Sequence, residues 1–206
     1  WNGEWLWPKG SGTADAPIKI DKYGGDALPV INGMGIDRGM NYSGAVHLRN
    51  QEYWEIRNLE VTNDDDFDVD IDLSRPQGDN SWSSQAETRN GILIIADGDL
   101  LNDDDDGIFD HIYIENCYVH DVDGPNDWND TFTGGIIYNV VGTKIRPNTS
   151  FRDIRIAYNT IRKVDLLGIT GFVQMAKSGY QDDVDTYNLW MEDIYIGHNY
   201  IEDVAQ

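Results

Sequence analysis

Lys177 and Tyr180 stand three residues apart in the stretch QMAKSGYQDD. An amine and a phenol at that spacing are candidates for moving a proton, one as general base and the other as general acid. Arg89, Tyr138 and His47 are further candidates, each in or beside a short apolar run. Groups suited to holding a ligand lie close to them in sequence: Arg49, Asn139, Phe172 and Gln174 on the same kind of run, and Lys144 and Arg146 just after one. A third set is acidic. The stretches 63–74, 97–110 and 121–130 concentrate aspartate with asparagine and glycine, the oxygen-rich composition that grips calcium. Asp97, Asp99, Asp121 and Asp123 are the candidate ligands, and calcium is the cofactor they suggest. A solvated acidic surface is the alternative reading.

These groups need a scaffold, and the scaffold is written as a repeat. YWEIRNLEV, HIYIENCYV, DIRIAYNTI and DIYIGHNYI begin at Tyr53, His111, Asp153 and Asp193. In each, apolar and polar residues alternate, break at a corner and resume, which predicts a strand, a bend and a second strand. A second line precedes each: GAVHLRN, NGILIIAD, GGIIYNV and LGITGFVQ open on small residues and continue into an apolar run. Three short strands per repeat at spacings of about 40 residues predict a coil of stacked parallel strands, in which matching residues form columns. The fold class is therefore all-β, a right-handed parallel β-helix of four to five coils, in one domain over 1–206. The Trp-rich residues 1–16 are expected as a cap.

Alternation also assigns faces. Along the "GI" strands His47, Arg49, Leu93, Ile95, Ile137, Asn139, Thr170, Phe172 and Gln174 point outward, whereas Tyr138 points inward. Loops on both sides of this face predict a groove. Cys117 shares an inward corner column with Leu59, Asn159 and Asn199, so it reads as a small buried group and not a nucleophile. As the lone cysteine it excludes an intrachain disulfide.

GSGTADAPIKIDKYG, LPVING and YWEIRNLEVTN resemble the opening of secreted bacterial right-handed β-helix proteins that act on polysaccharides. The resemblance covers about residues 10–206. It implies a secreted protein with a polysaccharide substrate, and its members include lyases similar to alginate lyases and chondroitinase B, glycoside hydrolases and proteins without assigned activity. Lys, Arg and Tyr recur as base and acid among the lyases, so the resemblance favours these residue types as the groups of a β-elimination on a uronate polymer. A glycoside hydrolase needs two carboxyl groups astride the bond. The outward face carries no such pair, and the NTD, GHG and RIK motifs of polygalacturonase-like hydrolases are absent. The hydrolase is thus the alternative to the lyase, and a non-catalytic carbohydrate-binding or filament-forming module is the third reading.

Charge sets limits. The formal net charge of −22 argues against a nucleic-acid partner bound through a broad basic surface, and no apolar run is long enough to span a membrane. Six of the 15 basic residues fall within 144–163. That gives one positive side, either to orient an anionic polymer or to pair with acidic neighbours. The sequence begins at Trp1 as a processed secreted protein or a trimmed chain would. It stops before another "GI" strand, so further residues or a second chain are expected over that end.

Overall fold

The computed structural model describes residues 1–35, 43–64, 89–124, 133–142, 148–175 and 189–204. Its strands in chain order are β1 (Ile18–Ile20), β2 (Val30–Asn32), β3 (Val46–Arg49), β4 (Trp54–Arg57), β5 (Glu60–Asn63), β6 (Asn90–Asp97) and β7 (Ile108–Glu115). They continue as β8 (Tyr118–Val122), β9 (Gly134–Gly142), β10 (Thr149–Ala157), β11 (Thr160–Val164), β12 (Leu167–Met175), β13 (Leu189–Gly197) and β14 (Tyr200–Val204). They form three parallel sheets. The floor sheet runs β3-β6-β9-β12, a second runs β1-β4-β7-β10-β13, and a third runs β2-β5-β8-β11-β14. The chain visits floor, second and third sheets in rotation, so each circuit adds one strand to each sheet. The protein is all-β with parallel sheets.

The expected columns are present. Ile18, Trp54, Ile112, Ile154 and Ile194 are register partners along the second sheet, as are Ile20, Ile56, Ile114, Ile156 and Ile196. Ile31, Val61, Val119, Ile161 and Ile201 stack along the third sheet. All of these except Ile196 and Ile201, which are exposed at the last coil, contribute to one apolar interior. Burial of this kind contributes roughly 25 cal/mol per Å² of apolar surface.

The bends between sheets are columns too. Asn58, Asn116, Tyr158 and His198 all take positive φ, and so do Tyr53, His111, Asp153 and Asp193. This left-handed conformation costs an L-residue about 1–2 kcal/mol, less for Asn and Asp. The polar letters that recur at these corners therefore mark where the coil must turn. At the inner corner, Asn159 donates to the carbonyl of Ile114 and to Oδ1 of Asn199, and accepts from the Cys117 N–H. Asn199 repeats the pattern toward the Ile156 carbonyl. Cys117 is buried in the same column, and burial pushes its thiol up to about 12, consistent with an inert core residue.

The tryptophan-rich start lies in line with the sheets. Leu6 pairs in parallel with Val46, extending the floor sheet, and Asn2 pairs with Asn32, extending the third. With β1 these residues complete a first circuit. On the second and third sheets the basic residues pair across coils: Arg152 with Asp110, Arg155 with Glu115, Arg162 with Glu202 and Lys163 with Asp121. Of the two roles expected for the positive side, pairing is the one seen among the described residues.

Candidate functional site

The outward face of the floor sheet is drier than the alternation suggests. Leu93, Ile95, Ile137 and Val141 form a second apolar cluster, with Leu167 against it, separate from the interior. The register sets Arg49, Ile95, Asn139 and Phe172 side by side across four coils. Asn139 has no exposed surface, and neither its Oδ1 nor its Nδ2 has a partner. A buried amide left unpaired costs about 1–3 kcal/mol. At the end of β6, the Asp97 carboxylate accepts two hydrogen bonds from the Arg49 guanidinium, and its other oxygen accepts from the Asp99 N–H.

His47 lies at the start of this face, fully buried. Its ring stacks on Trp7 at 4.7 Å between centroids, and Trp5 meets it edge-on. Lys9 covers Trp7 at 3.2 Å. Burial first, then the charges of Arg49 and Lys9, push the His47 pKa down to about 3. The sign follows from linkage. The unfolded chain takes up a proton near pH 6.5 and the native one does not, so native stability falls as pH drops from about 6.5 toward 3, by at most about 1.4 kcal/mol per pH unit from this group. His47→Phe is expected to flatten that slope. Urea midpoints at pH 6.5 and 4.5 for both proteins check it, and equal slopes would remove His47 as the cause.

The carboxyl groups missing from the floor gather on its shoulder, where the chain turns from floor to second sheet. Glu52 follows β3 by three residues. Its Oε2 accepts from the Asp110 N–H at 3.2 Å. Burial is the main cause that raises the Glu52 pKa; the charges of Asp110 and Asp106 add to it, against the Asp110 N–H and Arg152. Arg152 clamps both Asp110 oxygens, at 2.6 and 2.5 Å. Asp106 is exposed, and its Oδ1 accepts from the Ile108 N–H. Glu52 is thereby biased toward its protonated form, the condition a general acid needs. The sequence reading missed it because Glu52 and Asp110 are far apart in the chain and meet only through coil register.

The other expected residues disperse. Lys177, Tyr180, Lys144 and Arg146 lie outside the described residues, as does the side chain of Gln174. Tyr138 packs into the interior, as alternation indicated, and its buried phenol has a raised pKa. Arg89 is buried and donates to the Asp123 carbonyl. Phe172 is half-buried on the floor. Asp97 and Asp99 close one end of β6, whereas Asp123 sits with Arg89 at its other end and Asp121 meets His120 and Lys163. The four aspartates therefore do not converge on one point. Among the described residues, no three His, Cys, Asp or Glu side chains are grouped to hold a metal ion, and no helix is long and apolar enough to cross a membrane.

No family model matches the sequence. It is similar to a lacto-N-biosidase of Bifidobacterium longum subsp. longum, 27% identical over 216 residues, an alignment that takes in 84% of this chain and 13% of the relative. Two crystal structures of GH136 lacto-N-biosidase from Eubacterium ramulus, native and selenomethionine, share the fold. Their TM-scores are 0.71 and 0.72 at 21% and 22% identity, over 99% of this chain and 34% of theirs. The chain thus spans a minor part of each of these relatives. They are glycoside hydrolases, and this corrects the expectation of a β-eliminating lyase. The floor agrees with the correction: His47 and Tyr138 are buried, and Arg49 and Arg89 are bonded, so none of these four stands as a free base over the face.

Proposed function

We propose that this chain is a stretch of right-handed parallel β-helix from a secreted glycoside hydrolase, and that it cleaves a glycan with water. The observation that carries the reading is the sequence match to a lacto-N-biosidase along 84% of the chain. The shoulder supplies chemistry to go with it. Glu52, its pKa raised by burial and by neighbouring charge, protonates the departing glycosidic oxygen. Asp106, exposed and unclamped, is the carboxylate on the other side of the bond. Asp110, fixed by Arg152, keeps Glu52 in place through its N–H and raises the Glu52 pKa through its charge.

The test is the release of reducing ends from a panel of neutral oligosaccharides, with no rise in ultraviolet absorbance from unsaturated ends. Glu52→Gln is expected to lower kcat/KM by roughly 10²-fold, in the range of a lost general acid. The fall in activity as pH rises through the raised Glu52 pKa should vanish with it. A protein that releases no reducing ends would sink the proposal, and full activity in Glu52→Gln would move the acid elsewhere.

A further inference from the structure

Beside Glu52 the corner column changes character. Tyr53, His111, Asp153 and Asp193 hold equivalent places on successive coils, all at positive φ. Aspartate tolerates that left-handed conformation, whereas a bulky tyrosine there is an outlier that its surroundings must impose. They do so on both sides: the Tyr53 N–H donates to the Asp110 carbonyl, and the Tyr53 carbonyl accepts from the Ile18 N–H, each at 2.8 Å. The Tyr53 ring lies 6.0 Å from that of His111 between centroids, and His111 lies 4.0 Å from Tyr113. Carboxylates fix the last two rings. Asp153 meets His111 Nδ1 and accepts from the Tyr113 hydroxyl, and Glu55 meets His111 Nε2 at 3.3 Å. All three rings are half-exposed, so they form an aromatic strip that solvent reaches and that begins at the residue next to Glu52.

We infer that Tyr53, with His111 and Tyr113 beside it, is a subsite for the apolar C–H face of an uncharged sugar ring joined to the bond that Glu52 cleaves. This deepens the hydrolytic reading and rests on it for the choice of a sugar. The strip's own chemistry narrows the class. Aromatic side chains with polar tips suit a ligand that is apolar on one side and wet on the other. The polar groups around Tyr53 are acceptors: Asp106 is an exposed carboxylate, and the Arg152 guanidinium is committed to both Asp110 oxygens. Burial first, then the charges of Asp110, Glu52 and Asp106 against that of Arg152, raises the Tyr53 pKa, so the phenol sits in a negative field. A uronate would be repelled by that field, whereas a neutral ring can donate its hydroxyls to the same oxygens. Backbone strain of this kind persists where it serves a site.

Tyr53→Asn and Tyr53→Phe are compared with the unaltered chain by calorimetric binding of cellotetraose, tetra-N-acetylchitotetraose, tetragalacturonate and the glucosamine tetramer, and by the kinetics of reducing-end release. At least one of the two neutral tetrasaccharides should bind, and tetragalacturonate should not. Asparagine suits the left-handed corner but removes the ring, so Tyr53→Asn should weaken that binding about tenfold and raise KM, with the pH profile unmoved. Tyr53→Phe keeps the ring and should bind within about twofold of the unaltered chain. Unchanged binding in Tyr53→Asn, an equal loss in Tyr53→Phe, or no binding by the unaltered chain overturns the inference. So does binding of the glucosamine tetramer alone, which would mean that the rings receive a cation. Full activity in Glu52→Gln with Tyr53-dependent binding would remove only the acid assignment. Lost activity in Glu52→Gln with binding indifferent to Tyr53 would remove only the strip.

Discussion

Asn159→Leu is expected to destabilise the protein by about 3–5 kcal/mol. The side chain is 1% exposed and serves the Cys117 N–H on one coil, the Ile114 carbonyl beneath it, and Asn199 on the next. Leucine removes all three bonds at once and strands two buried backbone groups, each at about 1–3 kcal/mol. It cannot recover the loss by packing, because the groups left behind are polar and belong to the turn itself. Asn199→Leu is the control. Asn199 is only half-buried, so water can reach what it leaves, and about 1 kcal/mol is expected. Urea unfolding followed by tryptophan fluorescence measures both. Equal losses would mean that the column acts by shape and not by hydrogen bonding.

This column shows what the sequence could disclose. Asn159 and Asn199 hold equivalent places in lines 40 residues apart, and a coil puts equivalents in contact, so their bond was readable before any coordinates. The same logic made Ile114, Ile156 and Ile196 vertical neighbours and gave His47, Arg49 and Asn139 their outward face. It failed where contacts depend on more than periodicity. Leu93, Ile95 and Ile137 do point outward, yet they are fully buried, and alternation carries no information about what covers a face. Arg152 and Arg155 were open to two readings, orienting an anionic polymer or pairing with acidic neighbours, and only register decides, setting each beside a carboxylate one coil away.

The functional reading failed for a related reason. The outward floor positions carry no pair of carboxyls, and that absence favoured a lyase. Glu52 sits in a corner and Asp110 lies within β7, with Asp106 just before that strand, so none of them belongs to the face where a groove was expected. The signal that would have found them is the alignment of corners: Glu52 just precedes Tyr53 as Asp110 just precedes His111, and Tyr53 and His111 begin equivalent lines of the repeat. Both lie at one shoulder of adjacent coils.

The small residues that open each floor strand give the second large effect. Ala45, Gly91, Gly135 and Gly168 fall in one column by the floor-sheet register, and the three glycines face side chains of the third sheet. A Cβ on Gly91 would strike Cγ1 of Val119; one on Gly135 would lie 2.8 Å from Cγ2 of Ile161 and 2.8 Å from the Gly168 carbonyl; one on Gly168 would lie 2.9 Å from Cγ2 of Ile201. Each glycine thus makes room for the β-branched residue of its own coil, which is why the two lines of the repeat co-occur. Gly135→Val is expected to cost at least about 3 kcal/mol, the upper range for overpacking, because the second contact is backbone and cannot rotate away. Ile161→Ala alone opens a cavity at about 2–5 kcal/mol. In the double variant the valine fills part of that cavity, so the combined loss should fall short of the sum by about 1–2 kcal/mol, the signature of residues in contact. Gly168→Ala should be milder, since Ile201 is 46% exposed and free to move. Strict additivity of Gly135→Val and Ile161→Ala in urea unfolding would mean that the glycine column is set by the neighbouring backbone and not by the facing side chain.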